Sequence, residues 1–62
     1  MNTAGTLSSA SPALRQATPA QIAEAITTWR ARQAHATTHG MREVAAQCKR
    51  NVAGLKRELA RR

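Results

Sequence analysis

The side chains best suited to binding a metal are two histidines and one cysteine. His35 and His39 are four residues apart, the spacing that places two imidazoles on one face of a helix. Cys48 is the only cysteine in the chain and would have to reach them across a turn. No second cysteine and no convergent carboxylate completes a ligand set. We therefore predict no metal site and no bound cofactor, and interpret the histidines as surface residues.

The sequence contains few residues that could catalyse a reaction. Its three carboxylates, Glu24, Glu43 and Glu58, are scattered along the chain and offer no pair for acid–base catalysis. Lys49 and Arg50 follow Cys48 and would favour a reactive thiolate there. Cys48 also lies on an apolar stripe, however, where cysteine usually acts as a small hydrophobic residue. The sequence therefore favours a non-enzymatic protein.

The charge of the chain is large and unevenly distributed. Ten Lys and Arg residues oppose three Asp and Glu residues, which gives a formal net charge of +7. Nine of the ten bases lie from Arg30 onward. A localised positive field favours nucleic acid, an anionic membrane or an acidic protein surface as partner. The alternative is a solvated face that only keeps a small protein soluble.

Two rows of cations dominate residues 41–62. One row repeats every seven residues, and the other lies beside it on the same polar side of a helix. Rows of this kind can follow phosphates, and arginine suits bidentate phosphate contacts. We predict that six residues bind nucleic acid: Arg42, Lys49, Arg50, Lys56, Arg57 and Arg61. No base-reading position is evident, so no sequence specificity is predicted.

The same segment, residues 41–62, carries an apolar stripe with helical period. Its members fit a strict heptad of the coiled-coil kind and occupy two core positions. The first position is taken by Ala45, Val52 and Leu59, and the second by Met41, Cys48 and Leu55. The pattern predicts one basic amphipathic helix that packs against another helix.

An earlier helix is predicted over residues 19–36. Thr18, Pro19 and Gln21 form a start signal in which Thr18 caps, proline occupies the first helical position and Gln21 completes a capping box. Ile22, Ile26 and Trp29 continue with helical spacing, and we expect Trp29 to pack in the core. Residues 37–40, ending in Gly40, predict a helix stop and a tight connection.

These elements predict an all-α fold, in which residues 18–62 form a basic α-helical hairpin of two antiparallel helices. Residues 1–17 lack periodicity and are predicted to be a disordered N-terminal tail. Two hairpins would pair as a homodimer in a four-helix bundle, because one hairpin cannot fully bury both stripes. An alternative starts from Asn51, Val52 and Gly54, a weak spot in a long helix. It divides the segment into a short helix over residues 41–48, a turn at residues 49–51 and a last helix capped by Asn51, which with the first helix makes a three-helix unit with a helix-turn-helix.

Two functions from different classes follow. The first is a small accessory or regulatory protein that binds DNA or another nucleic acid through phosphate contacts of the second helix. The second is an interaction module, an adaptor or inhibitor, that docks the basic helix on an acidic protein. A membrane-surface helix ranks below both, because the stripe lacks an aromatic anchor. No apolar run and no leader pattern suggests export or a membrane span, so we expect a cytoplasmic location.

Overall fold

The computed structural model describes residues 7–62. A short 3-10 helix, Pro12–Gln16, precedes two long helices, α1 (Pro19–Thr38) and α2 (Arg42–Ala60). The described part of the chain contains no strand. α1 and α2 pack against each other, which confirms the predicted all-helical class and the pairing of two helices. In residues 7–62 no helix is both long enough and apolar enough to cross a membrane.

The start of α1 is fixed by the predicted capping box. The backbone N–H of Gln21 donates to Thr18 Oγ1 at 3.1 Å, and the backbone N–H of Thr18 donates to Gln21 Oε1 at 2.9 Å. Pro19 occupies the first turn, where its missing N–H leaves no intrahelical bond unmade. Side-chain chemistry encoded within four residues therefore sets where α1 begins.

α1 ends two residues later than predicted, at Thr38, and closes in a glycine-dependent turn. Gly40 has φ +72°, in the left-handed region that glycine adopts without a Cβ penalty. Its N–H donates to Thr37 O at 3.2 Å, and the N–H of Met41 donates to Ala36 O at 2.8 Å. These two bonds form a Schellman motif, which satisfies carbonyls at the end of α1 and turns the chain into α2.

α2 is one uninterrupted helix, so the alternative helix-turn-helix division of this segment is wrong. Asn51 and Gly54 both lie inside Arg42–Ala60. The side-chain amide of Asn51 donates to Gln47 O at 3.1 Å, along the helix itself. Val52 and Leu55 are buried on the same stretch, so tertiary packing outweighs the low helix propensity of its neighbours.

The core lies between the helices and extends to the segment that precedes α1. Ile22 near the start of α1 shares it with Leu55 near the end of α2, so the two helices run antiparallel. Trp29 and Leu59 are partly buried against it. The buried members of this cluster are Leu7, Leu14, Ala17, Ile22, Ala25, Ile26, Val52 and Leu55.

The heptad of α2 is only partly buried. Cys48, Val52 and Leu55 are buried as predicted, while Met41 remains 45% exposed. Val44, beside the stripe, is also 45% exposed. The packed part of the stripe therefore lies toward the end of α2 that the N-terminal part of the chain covers.

The expectation of a disordered tail over residues 1–17 does not hold for residues 7–17. These residues, here called the N-terminal segment, place Leu7, Leu14 and Ala17 in the core. Leu7 and Leu14 are the only large apolar residues between residues 7 and 17, so the sequence offers too few apolar positions for periodicity to identify a core segment. The rest of that prediction, for residues 1–6, lies outside the described residues.

Candidate nucleic-acid interface

All six predicted phosphate-binding residues lie on α2 or directly after it, and all six are exposed. They are Arg42, Lys49, Arg50, Lys56, Arg57 and Arg61. Helix geometry separates them into two strips about a quarter turn apart, because each residue advances about 100° around the axis. The two strips have different surroundings, which the sequence did not indicate.

Three of the six cations line one open groove, here called the arginine groove. Arg50 and Arg57 on α2 border it together with Arg61, which directly follows α2. The volume of the groove is about 700 Å³. Ser9 and Leu14 of the N-terminal segment contribute the opposite side. The remaining lining residues are Ala53, Gly54 and Glu58.

Gly54 allows the N-terminal segment to approach α2 this closely. A Cβ at Gly54 would meet the Cβ of Ser9 inside van der Waals contact and would lie 3.1 Å from its Oγ. Gly54 has the backbone conformation of the rest of α2, so glycine is not needed there for an unusual φ angle. It is needed because a larger residue would collide with Ser9. Gly54 therefore leaves room for Ser9 beside α2, and both residues line the arginine groove.

Asn51 holds the N-terminal segment from the helix side. Its Oδ1 accepts from the backbone N–H of Ser9 at 3.1 Å and from Ser9 Oγ at 3.2 Å. Its amide nitrogen donates to Gln47 O, so both ends of the side chain are used. At 7% exposure Asn51 is the buried polar residue among the described residues, and its hydrogen bonds offset the cost of burial. This amide is consequently unavailable for reading a nucleobase.

The C-terminal end of α2 holds the N-terminal segment at a second place. The guanidinium of Arg62 donates to Ala17 O at 2.7 Å and to Leu14 O at 2.9 Å. Its Nε also pairs with Glu58 Oε2 at 3.2 Å. Arg62 therefore acts as a structural residue that satisfies carbonyls at the end of the 3-10 helix.

Glu58 is the carboxylate that lines the arginine groove. It also pairs with Arg61 at 3.5 Å, but the side chain of Arg61 is 79% exposed, so this contact contributes little. Within residues 7–62, neither Arg50 nor Arg57 forms an ion pair. The cationic character of the arginine groove therefore comes mainly from those two guanidinium groups.

The other three cations, Arg42, Lys49 and Lys56, form the lateral row. They are exposed, and none of them lines the arginine groove. The lateral row therefore contributes exposed charge outside the arginine groove.

The residues considered for metal or thiol chemistry do not form a site in the described part of the chain. The rings of His35 and His39 are 4.3 Å apart between centroids, and both residues are exposed. Cys48 is a free, buried thiol at 2% exposure, as its heptad position predicted. Residues 7–62 contain no group of three or more His, Cys, Asp or Glu side chains able to hold a metal.

Trp29 packs against the core and also binds the N-terminal segment. Its indole Nε1 donates to Leu7 O at 2.7 Å. On its outer side the guanidinium carbon of Arg32 lies 4.9 Å from the ring centroid, within cation–π range. The predicted core role is thus confirmed in part, since Trp29 remains half-buried.

Comparisons with protein-family models, curated proteins and solved structures find no match to this chain. The candidate interface is consequently interpreted from its own residues and contacts.

Sequence reasoning missed Ser9, Asn51 and Gly54 as contributors to the interface. The low helix propensity of Asn51 and Gly54 predicts a break in α2 and does not indicate a contact with another segment. The available signal was their three-residue spacing, which places both on one side of a helix. A small residue beside a hydrogen-bonding residue allows another segment of the backbone to pack closely against the helix and to form a hydrogen bond there.

Proposed function

We propose that this protein is a small nucleic-acid-binding accessory or regulatory protein that holds phosphates through the cationic side of α2. One observation supports this proposal above others: six cations lie exposed along one side of α2, while its other side is buried in the core. Phosphate contacts by such a surface give affinity without sequence recognition. Duplex DNA is the expected ligand, and the function is not catalytic.

The test is anisotropy of a labelled random-sequence duplex at low and near-physiological salt. Wild-type protein should bind, and binding should weaken steeply with salt because bound counterions are released. Replacing Lys49, Arg50, Lys56 and Arg57 with alanine should abolish binding while circular dichroism shows unchanged helicity. The control carries Arg15→Ala and Arg30→Ala, both outside α2, and should bind nearly as well as wild type. Unchanged affinity in the fourfold variant would refute the proposal.

A second candidate, docking on an acidic protein surface, is favoured by the start of α2. Met41 and Val44 are exposed there beside Arg42, which mixes apolar and cationic groups as protein interfaces do. Poly-glutamate binding together with no DNA binding at low salt would support this candidate. DNA binding that poly-glutamate does not displace would count against it.

The homodimer is also part of the proposal. Leu7, Leu14 and Ala17 already cover much of the apolar stripe within one chain. Exposed Met41 and Val44 are the residues left for contact with a second copy. We expect Met41→Glu combined with Val44→Glu to produce monomers in sedimentation equilibrium, with wild type dimeric at the same concentration. A monomeric wild type at the highest soluble concentration would remove the dimer from the proposal.

We also place the protein in the cytoplasm. Cys48 is a free thiol and the only cysteine, which is compatible with a reducing compartment.

A further inference from the structure

The two strips of cations on α2 differ in what surrounds them. Arg50, Arg57 and Arg61 face a groove that has a second wall, built from Ser9 and Leu14. Arg42, Lys49 and Lys56 carry the same formal charge at exposed positions that do not line this groove. The groove lining carries three cations and one carboxylate, Glu58, so its net charge is positive. Because a walled recess focuses the electric field, we expect an anion to be held more strongly in the groove than on the lateral row.

The groove has the length for a chain of phosphates. Arg50 and Arg61 are eleven residues apart on the helix, which corresponds to about 16 Å along its axis at the helical rise. A single small anion would contact only part of this length. The three guanidinium groups each offer a fork of N–H donors that matches phosphate oxygens. Their spacing therefore suits an extended polyanion.

The chemistry of the lining favours backbone recognition over base recognition. Asn51 holds Ser9 at the groove wall, and the two polar atoms of its amide are bound to Ser9 and to Gln47 O. The hydroxyl of Ser9 lies within hydrogen-bonding distance of Asn51 Oδ1. Glu58 would repel a phosphate, but it is paired with Arg62 and with Arg61. The cations without an ion pair, Arg50 and Arg57, therefore provide the main phosphate contacts.

Resting on the proposed function, we infer that one phosphodiester strand of the bound nucleic acid lies in the arginine groove, between α2 and the N-terminal segment. The lateral row adds attraction at longer range without a defined contact. The N-terminal segment is accordingly part of the binding site as well as part of the core.

Two charge-matched variants test this inference in the full chain. The groove variant carries Arg50→Gln, Arg57→Gln and Arg61→Gln. The lateral variant carries Arg42→Gln, Lys49→Gln and Lys56→Gln. Each removes three positive charges from exposed positions. Both variants should keep the wild-type fold, which circular dichroism and thermal unfolding would test before their binding to the random-sequence duplex is compared.

The groove variant should bind at least about tenfold more weakly than the lateral variant at equal salt. Its slope of log affinity against log salt should fall by about 2 to 3, since each lost phosphate contact removes about 0.9, and the lateral variant should lose less than about 1. Equal losses, or a larger loss in the lateral variant, would overturn the groove assignment while leaving nucleic-acid binding intact. Absence of binding by the wild type would instead reject the proposed function itself.

Discussion

At the scale of single residues, two residues of α2 allow the N-terminal segment to pack against it. Gly54 has no side chain, and Asn51 has both polar atoms of its side chain hydrogen-bonded. Ser9 lies where a side chain on Gly54 would need to be, and Asn51 accepts two hydrogen bonds from the same serine. Gly54 and Asn51 both have low helix propensity in the middle of a helix. Their presence in α2 is explained by the second segment that rests on them.

The first prediction concerns Gly54→Ala. In an exposed helix interior this change stabilises by up to about 1 kcal/mol. Here the added methyl meets Ser9, and overpacking of this kind costs about 1 to 3 kcal/mol, so the net effect should be destabilising. Thermal and urea unfolding followed by circular dichroism measure the change.

The matched control introduces Gly54→Ala into a Ser9→Gly background, where the opposing Cβ is gone. The same substitution should then become neutral or stabilising. A Gly54→Ala effect of the same sign and size in both backgrounds would show that the two residues are not in contact.

The second prediction concerns Trp29→Phe. The change keeps an aromatic ring but removes the Nε1–H donor to Leu7 O. We expect a loss of about 1 kcal/mol, the usual net value of one buried hydrogen bond. Arg32→Gln, which removes only the cation near the ring, should cost about 0.5 kcal/mol. Urea unfolding measures both variants. A Trp29→Phe variant as stable as the wild type would show that the hydrogen bond to Leu7 O does not contribute to stability.

At the scale of elements, the N-terminal segment completes the hairpin. α1 and α2 each present a narrow apolar stripe, and Leu7, Leu14 and Ala17 extend the core that these stripes form. The segment is held at both ends of its course, by Trp29 and Asn51 near Leu7 and by Arg62 near Ala17. The guanidinium of Arg62 satisfies carbonyls at the end of the 3-10 helix, which favours this position of the segment.

The third prediction concerns Leu14→Ala. Leu14 is 8% exposed, so truncation should cost about 2 to 4 kcal/mol through lost burial and a residual cavity. Gln16→Ala, two residues away and exposed, should change stability by less than about 0.5 kcal/mol. If the two variants had equal stability in urea unfolding, the N-terminal segment would not be part of the core.

The sequence allowed both long helices to be predicted because their signals are local. The capping box at Thr18, the stop at Gly40 and the period of Ile22 and Ile26 each depend on residues within about one or two turns. The N-terminal segment could not be predicted in this way. Its contacts join residues more than twenty positions apart, such as Leu7 with Trp29 and Ser9 with Asn51. Contacts between residues so far apart in the chain produce no periodic pattern in the sequence, so they cannot be predicted from it.

The same difference applies to the candidate interface. The six cations were predictable as a basic helical surface, since charge and spacing are properties of residues 41–62 alone. The division into a groove and a lateral row was not, because the second wall of the groove comes from Ser9 and Leu14. Only the tertiary structure brings that wall beside α2.

At the scale of the whole molecule, charge and packing are separated across α2. The buried residues face α1 and the N-terminal segment, while the predicted phosphate-binding residues face outward. Charge can therefore be removed from the surface with little effect on the core. This separation makes the binding variants interpretable, because loss of affinity need not reflect loss of fold.

The most direct measurement is a titration of the isotopically labelled protein with short random-sequence duplex DNA, followed by amide and arginine side-chain NMR at low salt. We predict that the largest shifts occur at Arg50, Arg57, Gly54 and Ser9, with Glu24 on α1 nearly unchanged, and that the shifts diminish as salt is raised. Absence of shifts at low salt, or shifts concentrated on α1, would contradict a nucleic-acid interface on α2.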